Sequence, residues 1–438
     1  MAENKHVHRI SAKELRTTAK QNIKITKRYE KLKKRKYIPE SEYVTEMKDS
    51  NNVLEIENLH TYFFTDVGTV KAVNSVSFNI PQGATVGIVG ESGCGKSVTS
   101  LSVMGLVQGP TGQVVDGEIR FKSEVLKTDE KGKYIPVYEL DENGEKIVLS
   151  EKINKRTGEK IVTYKQKQDE TGGYIFEKES KVYNLVRAPR SELAKIRGRE
   201  IAMIFQEPMT SLNPVFTIGQ QLDEVYLLHN PGVSKEGAKA RTYDMLKLVG
   251  IIPENVYTRY PHELSGGMRQ RVVIAMALMC NPRLIIGDEP TTALDVTIQA
   301  QILELLRDIK TKINGSIMLI THDLGVIAEM ADFVVVMYAG RVIETGTAME
   351  IFCNPLHPYT IGLQKSKPVV NQNKERLYSI PGNVPNPIEM PTHCYFKDRC
   401  DRACEKCSGE YPAYVQVSPT HTVACYLYQD QKKEGADV

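Results

Sequence analysis

From Val53 onward, short apolar, β-branched runs alternate with longer stretches of helical periodicity. The runs are Val73–Ile80, Thr85–Val89, Ile201–Phe205, Leu284–Ile286, Ile317–Ile320 and Phe333–Met337. That alternation predicts an α/β domain built on a largely parallel sheet. The pattern covers roughly residues 51–350.

Three stretches depart from it. In residues 1–50, Lys5, Arg9, Lys13, Arg16, Lys20, Lys24, Lys27, Lys31 and Lys34 recur at steps of three or four, which would stripe one helix face. Residues 122–187 carry fourteen Lys and Arg against thirteen Asp and Glu, with turn signals at 141–144, 154–158 and 169–173. The string GEKIV occurs at 144–148 and again at 158–162. The repeat predicts two rungs of an antiparallel meander, projecting from the core as an insertion. From about Ile351 the chain turns irregular and richer in proline, and residues 351–438 form a C-terminal region with five of the eight cysteines in its last part.

Charge and composition change this picture in two places. The chain has 438 residues, 41% hydrophobic and 25% charged, which excludes wholesale disorder. Its net charge is only +3, yet residues 1–36 hold thirteen Lys and Arg against three Glu. That arm suits a solvated extension, an anionic lipid surface or RNA. The longest uncharged apolar stretch, Val272–Cys280, falls well short of the roughly 20 residues a spanning helix needs. With no secretory leader in view, a reducing cytosolic setting is expected, and free thiols or metal ligands rather than disulfides.

The chemistry sits at run ends. Gly90-Glu91-Ser92-Gly93-Cys94-Gly95-Lys96-Ser97 is a complete G-x-x-x-x-G-K-S loop directly after an apolar run, with Val98 following. Its glycines let backbone N–H groups turn inward around phosphate, Lys96 would reach the β- and γ-phosphates, and Ser97 would ligate Mg²⁺. Cys94 reads as a bystander. Leu284–Glu289 ends in two carboxylates: Asp288 for the Mg²⁺ shell and Glu289 to polarise a water. Ser265-Gly266-Gly267-Met268 opens a helical run and offers a second anion site. One nucleotide has one triphosphate, so two such helix ends suggest two chains sharing each nucleotide.

Together these residues resemble an ABC-type ATPase, with a mixed-sheet core and a helical signature subdomain. The phosphate loop, Gln206, the signature 264–270, the acidic pair 288–289, Ala293-Leu294-Asp295 and His322 stand in family order. The resemblance implies Gln206 as a ligand of Mg²⁺ and the attacking water, Glu289 as general base, His322 on the γ-phosphate and Asp295 as a coupler of the two sites. Tyr62, Phe63 and Phe64 are candidates to stack on the adenine. The wording at 95–106, 206–214, 260–264 and 357–360 is similar to the D-type subunit of oligopeptide and dipeptide importers. That implies an F-type ATP-binding partner, two integral membrane permeases that dock on 207–229, an extracellular peptide-binding protein, and a place at the cytoplasmic face of the membrane. Cargo stays open between oligopeptides, dipeptides and nickel. The alternative is a non-transport ABC ATPase acting on nucleic acid, supported only by the basic arm.

The resemblance also implies an iron–sulfur cluster, [4Fe–4S], on Cys394, Cys400, Cys407 and Cys425, with Cys404 as an extra thiol. Four sulfurs in an apolar-poor region equally suit tetrahedral Zn²⁺, and buried free thiols are the third reading.

Overall fold

The computed structural model describes residues 11–429 apart from 36, 130–131, 154–157, 159, 170–171, 207–210, 292–294, 367–377 and 389. Lys5, Arg9, the start of the docking stretch at 207–210 and Ala293-Leu294 lie outside the described residues.

In chain order the strands are β1 (Val44–Thr45), β2 (Asn52–Phe64), β3 (Thr69–Pro81), β4 (Thr85–Val89), β5 (Gly112–Leu126), β6 (Val148–Ile153), β7 (Lys160–Tyr164) and β8 (Lys178–Asn184). They continue with β9 (Ile201–Ile204), β10 (Leu284–Asp288), β11 (Ser316–Ile320), β12 (Phe333–Tyr338), β13 (Arg341–Thr347), β14 (Val415–Gln416) and β15 (Thr422–Val423). One sheet has the order β14-β15-β13-β12-β4-β11-β10-β9. Its five strands from β12 to β9 run parallel, and β13, β15 and β14 add antiparallel. The second sheet, β1-β8-β5-β2-β3, is antiparallel throughout. The expected parallel sheet is therefore half of a pair, and the long run 73–80 belongs to the antiparallel half.

Successive residues of the parallel strands face opposite layers. Ile285, Ile317, Leu319, Val334 and Val336 pack with Leu222, Leu246, Ile274, Ile302 and Leu306 from the helices. Their neighbours Leu284, Ile286, Met318, Ile320, Val335 and Met337 pack with Leu54, Ile56, Ile80, Ile119 and Phe121 of the antiparallel sheet. With both faces covered, no polar residue is tolerated mid-strand, which is why these strands read as unbroken apolar runs. Each such side chain contributes about 1.5–3 kcal/mol by leaving water.

The departures join this frame unequally. The basic stripe is a helix, Ala12–Lys33, started by a capping box between Ser11 and Glu14. Its inner face meets the antiparallel sheet: Asn22 Nδ2 donates to Thr65 O at 2.7 Å, Tyr29 stacks on Phe64, and Gln113 Nε2 donates to Glu30 Oε1 at 2.9 Å. The lysines from Lys13 to Lys34 face water. Within the insertion, 122–126 and 178–184 are sheet rather than projection. β5 and β8 pair from Arg120↔Asn184 to Leu126↔Lys178, and Ser123, Tyr183 and Leu185 are buried. The repeats pair as β6 against β7, Val148 opposite Tyr164, and Asp129, Asp141 and Asp169 accept N–H bonds from Lys133, Glu145 and Gly173 to close three turns. The C-terminal region continues the core sheet through β15 on β13. Among the described residues no helix is long and apolar enough to cross a membrane.

Candidate functional site

β4, β11, β10 and β9 are parallel neighbours, so their carboxyl ends open on one edge of the sheet. After β4 the chain turns into the helix Lys96–Val103 through Gly90 (φ 153°) and Gly95 (φ 100°). A Cβ on Gly90 would lie 2.2 Å from Met337 O, and one on Gly95 would lie 2.3 Å from Ala72 O. Only glycine fits either place. Ser92, Gly93 and Ser97 stand at the exposed rim, Val98 packs toward the core, and Cys94 and Lys96 are buried. The helix dipole favours an anion at this rim.

Lys96 Nζ lies back over the loop, donating to Gly90 O at 2.8 Å and Glu91 O at 3.1 Å. Cys94 Sγ is 3.8 Å from that amine, and burial pushes its thiol up. Ser97 Oγ donates to Asp288 Oδ1 at 2.9 Å, and Ser100 Oγ reaches Oδ2 at 3.5 Å. Burial raises the Asp288 carboxyl, while the Ser97 bond works against that rise. A serine hydroxyl and a buried carboxylate side by side form a hard oxygen pair of the kind Mg²⁺ takes, so these residues fit that ion.

Glu289 follows at φ 50°, a left-handed conformation that costs a non-glycine residue about 1–3 kcal/mol. Its N–H donates to Ile320 O at 2.8 Å, tying it to β11. The carboxylate reaches residues that follow β9 and β11: Gln206 Nε2 donates to Oε2 at 2.9 Å, and His322 Nδ1 lies 3.3 Å from Oε1. Gln206, Asp288, Glu289, His322 and the phosphate loop, separated by up to 232 positions from Gly90 to His322, thus meet at one sheet edge.

The signature forms a second group. Ser265 caps the helix Gly266–Leu278, its Oγ accepting from Met268 N–H at 3.3 Å. Asp295 caps the helix Val296–Ile313, accepting from Ile298 N–H at 2.9 Å. Ile298 lies 3.4 Å from where a Gly267 Cβ would stand, so the two helix starts touch. Gln270, which the motif names without a role, is buried and donates from Nε2 to Pro290 O. It links the signature helix to the turn after Glu289. Residue spacing gives no hint of that bond.

The aromatic candidates diverge. Tyr62 donates its hydroxyl to Asn74 Oδ1 at 2.8 Å, Phe64 is buried against Tyr29, and Phe63 lies beside Gly112. The cysteines gather without converging. Burial pushes Cys394 up to about 11 and Cys425 to about 12, with Cys400 and Cys407 also raised, and charge on neighbouring thiols adds to each shift. The partner of Cys407 is the extra thiol, Cys404, at Sγ–Sγ 3.5 Å. Among the described residues no group of three or more His, Cys, Asp or Glu side chains is arranged to hold a metal ion. Cys394, Cys400, Cys407 and Cys425 thus form no such group here.

The profile described as "ABC transporter" matches residues 73–292, and that of the "Oligopeptide/dipeptide transporter, C-terminal region" matches residues 343–407. The oligopeptide transport ATP-binding protein AppD of Bacillus subtilis (strain 168) is 43% identical over 388 residues, covering 88% of this chain and 99% of that protein. The dipeptide transport ATP-binding protein DppD of the same organism is 44% identical over 385 residues, 88% of this chain and 97% of the relative. The oligopeptide transport ATP-binding protein OppD, also from that organism, is 44% identical over 377 residues, 86% and 88%. The chain belongs to the ATP-binding proteins of ABC transporters, in the branch that holds the oligopeptide and dipeptide transport ATP-binding proteins.

Proposed function

We propose that this chain binds and hydrolyses ATP to energise uptake of oligopeptides or dipeptides through a multisubunit ABC importer. The observation that carries the reading is the Glu289 carboxylate, held between Gln206 and His322 beside the Ser97–Asp288 pair. In it, residues 90–98 hold the triphosphate and Lys96 leaves its loop carbonyls for phosphate oxygens. Ser97, Asp288 and Gln206 would hold Mg²⁺, which neutralises phosphate charge when bound. Glu289 takes a proton from the attacking water, His322 meets the γ-phosphate, and Ser265–Met268 serve the nucleotide of a second ATP-binding subunit of F type, with Asp295 coupling the two sites. Two permeases and an extracellular peptide-binding protein complete the assembly, with this chain at the cytoplasmic face. The nucleic-acid alternative draws no support from the relatives.

Glu289→Gln tests this. It replaces the carboxylate base with an amide of the same size, so ATP hydrolysis by the assembled importer should fall about 10²- to 10⁴-fold with ATP binding retained. Hydrolysis at the wild-type rate would remove Glu289 from the role.

A sulfur-ligated centre is the second reading, [4Fe–4S] or Zn²⁺ on Cys394, Cys400, Cys407 and Cys425. What favours it is the gathering of Cys394, Cys400, Cys404, Cys407 and Cys425 in one short stretch of the chain. Iron, sulfide and zinc analysis after anaerobic purification tests it, and a metal-free native protein with five titratable thiols in this region would refute both forms.

A further inference from the structure

We infer that Arg399, in the cysteine-bearing C-terminal region, is a positioning residue for the phosphate loop, acting through Glu91. The guanidinium forks onto the carboxylate, Nη1 to Oε2 at 2.7 Å and Nη2 to Oε1 at 3.0 Å. Two parallel N–H···O bonds fix the orientation of the carboxylate as well as its distance. Arg399 is itself immobilised: Nε donates to Pro381 O at 2.9 Å, and the cation lies within 6 Å of the Tyr338 and Phe396 ring centres. Its side chain is 5% exposed, whereas that of Glu91 is 29% exposed.

Glu91 is the second residue of the loop, and each of its polar groups is engaged. Its N–H donates to Tyr359 Oη at 2.8 Å, and its carbonyl accepts from Lys96 Nζ at 3.1 Å. When Lys96 moves to phosphate, the Glu91 carbonyl keeps only the longer bond from Cys94 N–H at 3.3 Å, and Tyr359 and Arg399 are what still hold this residue from outside the loop. Both come from outside the ATPase motifs; Arg399 lies 308 positions from Glu91. The partly exposed Glu91 carboxylate can turn to water if Arg399 is removed, so the loss falls on the order of the loop rather than on a stranded charge. A loop that is not pre-shaped must be ordered by the nucleotide, and affinity falls by that cost.

This inference rests on residues 90–97 being the ATP site, and the experiment separates the two. ATP affinity is measured by equilibrium titration with Mg²⁺ on the full chain for Arg399→Met, Arg399→Lys, Glu91→Gln, the double variant Arg399→Met/Glu91→Gln, and Lys96→Ala. Arg399→Met should weaken ATP about tenfold, and the double variant should bind no worse than the weaker single, since both remove one tether. Arg399→Lys keeps the charge without the fork and should recover part of the loss. A packing role alone would not give coupling to Glu91 or recovery by lysine. If Arg399→Met does not fold, Arg399→Lys carries the test: it should weaken ATP in the wild-type background and not in Glu91→Gln. Affinity within twofold of wild type for the arginine variants, or losses that multiply with Glu91→Gln, would overturn the inference. If Lys96→Ala also binds as wild type, the ATP-site reading fails with it; if Lys96→Ala alone loses binding, only the role of Arg399 fails.

Discussion

Residues 127–177 and residues 378–429 both look peripheral, being irregular and poor in apolar runs, yet the core treats them in opposite ways. The first leaves and returns through one strand pair and closes its own turns with Asp129, Asp141 and Asp169. The second spends its polar groups on the core. Arg399 holds Glu91, Tyr395 Oη accepts from Asn74 Nδ2 at 3.0 Å, Tyr414 Oη donates to Val342 O at 2.8 Å, and His421 Nε2 lies 2.8 Å from Glu344 Oε1. Where a segment finds its hydrogen-bond partners decides whether it is an appendage or a part of the machine.

The sharpest test of that contrast is Glu344→Ala. This carboxylate is fully buried on β13 and accepts from Leu356 N–H at 2.7 Å, His357 N–H at 2.9 Å and Thr360 Oγ1 at 2.5 Å, with His421 as its fourth neighbour. Its removal leaves that cage without an acceptor, and unfolding in urea should show a loss of about 3–5 kcal/mol. A loss under about 1 kcal/mol would mean that the C-terminal region is not fastened here.

Why the strands and the phosphate loop are legible in the sequence, and the cage is not, follows from range. An apolar run reports burial by its own composition, and the loop's glycines and lysine act within eight positions. Glu344 with His421, and Glu91 with Arg399, are single residues far apart, each ordinary for a surface in its own neighbourhood. The same limit explains the insertion boundaries. Charge balance marks 122–187 as foreign, but only pairing with β8 shows that 122–126 continue the sheet. It also explains Cys407, since spacing counts thiols without saying that Cys404 stands nearer.

Acid should weaken the fastened region next. Burial holds His357 down at about 4, against an ordinary value of 6.5, although the neighbouring Glu344 pulls the other way. Between those values the unfolded chain binds a proton that the folded chain does not, so stability is full above pH 6.5 and declines until pH 4. His357 alone should then take about 2 kcal/mol from stability between pH 7 and pH 5. Urea unfolding at the two pH values, compared with His357→Gln, measures this. The variant should show a pH slope smaller by that amount; equal slopes would locate the acid sensitivity elsewhere.

The smallest effect should come from the largest excision. Leu126 and Lys178 are opposite each other at the last register of β5 and β8, so an Asn-Gly turn can replace all of residues 127–177 without parting the strands. The cuts leave Tyr183, Leu185 and Ser123 in place, which removal of the whole span 122–187 would not. Outside the insertion the excision removes, among the described residues, the approach of Gly173 and Tyr174 to Val233 and Gly232, and that of Thr128 and Tyr134 to the cavity beside Leu228 and His229. None of those residues reaches the phosphate loop, Gln206, Asp288 or Glu289. ATP affinity of the shortened chain should therefore stay within about twofold of wild type, with at most a modest drop in melting temperature. A tenfold loss of ATP affinity, or a chain that no longer folds, would show the insertion to be as much a part of the core as the C-terminal region.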